Sequence, residues 1–252
     1  TNCSRITFTF VRIITITSFG SFAYGFEFNK RCIECVIFEI KMKGKFIVFE
    51  GIDGSGKTTQ INQLSKWITE SNLIPKNKQL VVTREPGGTK LGQSIRSLLL
   101  DTSREKSPDS ITELLLYAAD RAQHVNEIIR PSLQKGNWVI SDRFCGSTLA
   151  YQGYGRKLDI KLIKDLETIA TQGISPDITF LLDITVDESI KRRINIKDDR
   201  IENEGREFLS NVLLGFQKLS EDTKWKTISA LNSKEKIISD IKYEINKLLK
   251  NK

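Results

Sequence analysis

Residues 51–58 read GIDGSGKT and follow directly on the apolar run FIVFE at 46–50. A short apolar run that ends in glycine suits a strand buried on both faces. The residues after it fit G-x-x-x-x-G-K-[ST], a loop whose glycines let successive backbone N–H groups converge on phosphate oxygens while the next helix adds its positive end. The helix is expected over 59–70, with Ile61, Leu64 and Ile68 on one face. In that context Gly51, Ile52, Asp53, Gly54, Ser55, Gly56, Lys57, Thr58 and Thr59 form a nucleotide phosphate site, with Lys57 reaching the β and γ phosphates and the Thr58 hydroxyl available to Mg²⁺.

Further short apolar runs at 80–83, 138–141, 178–184 and 226–230 alternate with helical stretches at 88–100, 110–129, 159–172, 187–194, 204–220 and 233–249. Strand and helix in alternation predict a parallel α/β sheet with helices on both faces. In the last helix Ile237, Ile238, Ile241, Ile245 and Leu248 repeat at helical spacing, which core packing explains.

The chain has 252 residues, 39% hydrophobic and 28% charged, which excludes disorder, collagen and a disulfide-stapled miniprotein. Lys and Arg number 39 against 31 Asp and Glu, a net +8 that favours anionic partners. No apolar run reaches the roughly eighteen residues of a membrane span; the nearest, 6–28, is broken by Arg12 and many Thr and Ser. Residues 1–41 differ from the rest, with three of the four cysteines, seven of the thirteen Phe and no helical or strand periodicity. Met42 is the sole methionine, and the expectation is that 1–41 is an upstream frame or disordered extension, with 42–252 the working domain; a targeting segment is the rival. Cys32 and Cys35 lack a second pair at zinc spacing, and beyond them only Cys145 remains, which fits a reducing cytoplasm.

Ligands of open parallel sheets collect at the carboxyl ends of strands, and there the sequence is charged. TREPGG (83–88) follows the second strand, SDRF (141–144) and GSTLAYQGYGR (146–156) the third, and a basic stretch at 191–200 the fourth. Together with the phosphate loop they suggest a site for two polyanionic substrates.

With GIDGSGKTT, TREPGG, LLLYAADRAQH, SDRF, AYQ and DRIE in this order, the chain from about Met42 onward resembles thymidylate kinase of the bacterial type. The resemblance implies a P-loop NTPase fold of the nucleoside monophosphate kinase kind, a five-stranded parallel sheet flanked by helices with a mobile lid. It implies transfer of the γ-phosphoryl of ATP to dTMP with Mg²⁺, and a homodimer. Residue by residue it implies that Asp53 bonds the dTMP 3′-hydroxyl, that Arg84, Arg143 and, less directly, Arg96 hold the acceptor phosphate, and that Asp142 acts through Mg²⁺ or the attacking phosphate. Tyr117, where the family more often has Phe, would stack on thymine while Arg121, four residues on, reaches a carbonyl oxygen. Ser147 and Thr148 fall at the thymine edge, Tyr151 against the 2′ position, and Gln152 beside them. His124, the sole histidine, reads as structural. The lid stretch KRRINIKDDRIE has Asn195 and Ile196 where relatives often carry Arg, which leaves Arg193 and Arg200 as the expected catalytic cations and Lys191, Arg192 and Lys197 as substitutes.

Two other readings compete. Without residues 1–41 there are still 34 basic against 28 acidic residues, which could serve a nucleic-acid-binding nucleotide switch, but the basic residues gather at strand ends and no nucleic-acid-binding motif is present. The other keeps the enzyme and changes the acceptor to dUMP or another monophosphate, since one methyl is worth only about 1–3 kcal/mol.

Overall fold

The computed structural model describes residues 44–103, 107–194 and 199–250. The expected extension at 1–41, its C-x-x-C, and Asn195, Ile196 and Lys197 lie outside them. The strands are β1 (Phe46–Glu50), β2 (Leu80–Arg84), β3 (Trp138–Asp142), β4 (Ile178–Asp183) and β5 (Trp225–Ser229). All pairs are parallel, in the order β2-β3-β1-β4-β5, so the sheet has the five strands and the direction expected.

β1 is central and buried along its whole length. Its neighbours β3 and β4 are reached by chain segments that leave in opposite directions, so a crevice opens at its carboxyl end. The pleat divides its side chains between two layers. Ile47 and Phe49 enter one cluster with Ile61, Leu64 and Ile68 of α1 (Lys57–Glu70); Phe46 and Val48 enter another with Val125, Ile129 and Leu133.

Some helix starts show side-chain caps. Thr89 Oγ1 accepts from Gly92 N at 2.9 Å before α2 (Lys90–Leu100), and Asp109 accepts from Ile111 N at 2.9 Å before α3 (Ser110–His124). The helix expected to stop at Ile129 runs further, through a π-helical stretch Val125–Ile129 into α4 (Arg130–Gln134). Pro131, which has no N–H to donate, falls where the π-helical stretch passes into α4.

A larger difference lies after β3, where the glycine-rich segment, over which no helix is expected, is helical: α5 (Cys145–Thr148) continues as a π-helical stretch Leu149–Gly155. Glycine disfavours helix, but packing overrides it. Tyr151 sets its ring 6.2 Å from Phe208 and 6.0 Å from Phe216 of α8 (Arg206–Leu219). The remaining helices are α6 (Ile160–Thr171), α7 (Val186–Arg192) and α9 (Lys234–Lys250), whose Ile237, Ile241 and Ile245 are buried as the spacing required. Among the described residues no helix is long and apolar enough to cross a membrane.

Phe180 of β4 is fully buried whereas Ile169 of α6 is 71% exposed. Phe180→Ala is expected to cost about 3–5 kcal/mol in denaturant unfolding and Ile169→Ala less than about 0.5 kcal/mol; similar losses would place Phe180 outside the core.

Candidate active site

The loop after β1 turns through three glycines with positive φ: Gly51 at 135°, Gly54 at 80° and Gly56 at 91°. Gly54 is also held by space, since a Cβ there would lie 2.9 Å from the Ser189 carbonyl oxygen and 3.3 Å from Arg193 Cγ. This close approach seats α7 on the loop, and Ser189 Oγ donates to the Asp53 carbonyl at 2.6 Å. Lys57 folds back: its Nζ donates to the carbonyls of Gly51 (3.0 Å) and Ile52 (3.2 Å) and to Asp53 Oδ1 (3.2 Å).

A cavity of about 230 Å³ opens beside the loop. Asp53 and Thr58 of the loop line it, as do Arg84 and Arg96, Tyr117 and Arg121 of α3, and Asp142 and Arg143 at the end of β3. Ser147, Thr148, Tyr151 and Gln152 form its far wall. Every residue that the resemblance assigned to the acceptor nucleotide therefore meets on one cavity. Glu85, Pro86, Leu100, Asp199 and Ile201 share it without having been expected.

Cations dominate one end. Arg143 Nη2 donates to Asp53 Oδ1 at 2.7 Å and its Nη1 to Ser147 Oγ at 3.0 Å, with the guanidinium 5.2 Å from the centre of the Tyr151 ring. Burial and the neighbouring Arg84 and Arg143 charges lower the pKa of Arg96, as expected where like charges are held together. Burial works to raise Asp53, but Arg143 and Lys57 outweigh it and hold its carboxyl well below the usual range. Burial and the Asp53 carboxylate beside it raise the pKa of Glu202.

The other end is cross-linked. The buried Arg121 donates Nε to Glu85 (2.8 Å), Nη1 to Thr148 Oγ1 (2.8 Å) and to Glu167, and Nη2 to the Phe144 carbonyl (3.0 Å). Among the described residues these use four of its five N–H groups, leaving one for the cavity. Burial opposes the Arg121 charge, but Glu167 and Glu85 outweigh it. His124 lies 2.8 Å from Glu85 Oε1 and 2.7 Å from Thr83 Oγ1, a tether for the TREPGG turn, which agrees with its structural reading.

Arg200 is placed otherwise than expected. It is buried, with Nε on the Leu99 carbonyl at 2.7 Å and Nη2 on Glu113 Oε2 at 2.5 Å, and does not line the cavity. Glu113 also takes Gln152 Nε2 (2.9 Å) and Arg156 Nη2 (3.1 Å), so Arg200 is a strut between helix and lid. Arg193 packs along Gly54 and pairs with Glu202 at 3.1 Å. Of the substitutes, Lys191 is exposed beside Glu188, and Arg192 donates to the Ala230 carbonyl at 2.9 Å.

Two oxygens suit a hard cation. Asp142 Oδ1 is buried without a hydrogen-bond partner among the described residues, and Thr58 stands on the same cavity, a carboxylate and a hydroxyl of the kind Mg²⁺ takes.

Four buried acids, Glu50, Glu85, Glu113 and Asp120, organise the walls yet were not singled out in the sequence. Glu50 carried a signal: an acid that closes a strand expected to be buried on both faces needs hydrogen-bond partners to offset its desolvation. Glu50 has none of its surface exposed, and burial pushes its pKa from 4.5 up to about 7.

The thymidylate kinase family profile matches residues 49–241. A thymidylate kinase of Prochlorococcus marinus strain NATL2A is 82% identical over 211 residues, which cover 84% of this chain and all of that protein. One from Synechococcus sp. strain CC9605 is 59% identical over 75% of this chain and 90% of its own length. The crystal structure of thymidylate kinase from Ehrlichia chaffeensis superposes with a TM-score of 0.63 at 36% identity, covering 82% of this chain and 99% of that one.

A raised carboxyl makes folding take up a proton between the two pKa values, so Glu50 weakens the fold as pH rises from about 4.5 through 7. Denaturation at pH 5 and pH 8 is expected to show Glu50→Gln losing less stability than the unsubstituted protein, by up to about 3 kcal/mol. Parallel losses would mean that Glu50 titrates normally.

Proposed function

This chain belongs to the thymidylate kinase family, and we propose that its cavity residues divide the phosphorylation of dTMP to dTDP as follows. ATP donates the γ-phosphoryl. The loop 51–58 receives the ATP phosphates on its N–H groups, and Lys57 leaves its carbonyl and carboxylate partners to meet the β and γ oxygens. Arg143, with Arg84 and Arg96, holds the acceptor phosphate and offsets the repulsion between two phosphates brought into line. The acceptor oxygen is already an anion, so no general base is needed.

Thr58 and Asp142 would hold Mg²⁺, which supplies charge neutralisation at the transferring phosphoryl. Tyr117 faces the base, and the last free N–H of Arg121 meets a thymine carbonyl. Asp53 accepts from the 3′-hydroxyl, and the Tyr151 ring, fixed by Arg143 and α8, crowds the 2′ position against ribonucleotides. Of the two lid arginines expected to stabilise the transferring phosphoryl, Arg193 beside the loop suits the role and Arg200 serves as the lid strut. The observation that carries these assignments is the meeting of Arg84, Arg96 and Arg143 with Tyr117 and Arg121 on one cavity next to the phosphate loop.

We also propose that the domain is 42–252, that it works in the cytoplasm where ATP is made available, and that it pairs as a homodimer. The 211-residue match that covers the whole Prochlorococcus protein supports the first. For the pairing, α3 packs between α2 and α6 and the three helices leave Leu91, Ile111, Leu115 and Leu162 41–53% exposed.

In an ADP-release assay with MgATP, the full chain and a chain beginning at Met42 are expected to turn over dTMP equally well, with dUMP slower and UMP slower still. Arg143→Ala is expected to lower kcat/KM for dTMP at least about 100-fold while the KM for ATP stays within about twofold. No turnover of dTMP, or equal turnover of UMP, would contradict the assignments. Light scattering on the eluting protein is expected to give twice the chain mass, and Leu115→Glu to give the single mass.

A further inference from the structure

Arg143 reaches the cavity from an unusual backbone. Its φ is 73°, in the left-handed region that a side chain other than glycine seldom adopts. Its own peptide groups are held by neighbours on the sheet, the N–H by the Phe49 carbonyl at 2.8 Å and the carbonyl by Ser141 Oγ at 2.8 Å. Neither contact fixes the chain that follows, where the turn into α5 determines which way the guanidinium leaves.

That turn closes on Glu50, the last residue of β1. Glu50 Oε1 accepts the N–H groups of Phe144 (2.9 Å) and Ser147 (3.1 Å), and Oε2 accepts the Ser147 hydroxyl at 2.6 Å. The hydroxyl proton is thereby committed to the carboxylate, and the Ser147 oxygen presents its lone pair to Arg143 Nη1 at 3.0 Å. The fit is tight: a Cβ on Gly146 would stand 2.9 Å from Glu50 Oε1 and 2.6 Å from Trp225 Cη2. A chain of contacts therefore runs from a buried strand end, through one hydroxyl, to the cation at the cavity.

We propose that Glu50 is a positioning residue for the acceptor phosphate: its carboxylate holds the 143–147 turn and orients the Ser147 hydroxyl, and these together aim Arg143. The proposal rests on the assignment of Arg143 to that phosphate. Glu50 touches neither substrate, and its influence on ATP is correspondingly small. An amide at position 50 keeps one oxygen for the two N–H groups, so the turn survives, but its NH₂ faces Ser147 Oγ as a donor, and the hydroxyl proton, without its acceptor, turns away and no longer fixes how the oxygen meets Arg143.

The experiment is a set of steady-state measurements with dTMP and MgATP on the unsubstituted chain, Glu50→Gln, Ser147→Ala and the double variant, with Val48→Ala as a destabilised core control on the same strand. Glu50→Gln is expected to raise the KM for dTMP about tenfold with the KM for ATP within about twofold, and Ser147→Ala to act in the same direction. Because both substitutions cut one chain of contacts, the double variant is expected to resemble Glu50→Gln within about twofold, whereas Val48→Ala leaves the KM for dTMP unchanged. An unchanged KM for dTMP in Glu50→Gln, multiplicative losses in the double variant, or a matching rise in Val48→Ala overturns the proposal alone. If Glu50→Gln does not fold, Ser147→Ala decides by itself, an unchanged KM counting against the proposal. Absence of dTMP turnover in the unsubstituted chain overturns the function and the proposal together.

Discussion

The ion pair between Asp53 and Arg143, 2.7 Å across the cavity mouth, joins the phosphate loop to the end of β3. Lys57 leans on the same carboxylate at 3.2 Å, so the site neutralises its own charges before any substrate arrives. A phosphate that enters competes with Asp53 and with loop carbonyls for cations that are already placed. The charges do not have to be gathered during binding, which spares the site reorganisation as negative charge builds on the transferring group.

The walls repeat this logic with buried acids. Glu85 joins Arg121 and His124, Glu113 joins Arg156, Arg200 and Gln152, and Glu50 joins Ser147 and two backbone N–H groups. A buried ion pair contributes little net stability, because desolvation cancels most of the attraction. What it does supply is direction: an arginine bound at several N–H groups presents the remainder along one line. Arg121 and Arg143 are both held so, and both line the cavity.

How far the sequence carried depended on whether the information was local. The phosphate loop is contiguous and is flanked by periodic runs, so strand, turn and helix could be read at 46–70, and the other four strands emerged from short apolar runs in the same way. Most cavity residues were named through short motifs, TREPGG and SDRF at strand ends and LLLYAADRAQH on a helix, which carry the family resemblance. Partnerships across long separations were not legible: Arg200 meets Glu113 from 87 positions away, and Glu50 meets Ser147 from 97. Nothing in DRIE distinguishes an arginine that faces phosphate from one that braces a helix. The helix at 145–155 was hidden because its glycines argue against helix, whereas packing on Phe208 and Phe216 imposes it.

Gly54 lets α7 rest on the loop, so Arg193, the residue that follows α7, lies beside the phosphate loop. That the arginines define a phosphate site in the cavity is the central claim, and calorimetric titration of dTMP against thymidine tests it most directly. The account predicts that removal of the phosphate weakens binding at least about 100-fold, as loss of several charge-assisted hydrogen bonds requires. Equal affinity for dTMP and thymidine would contradict it.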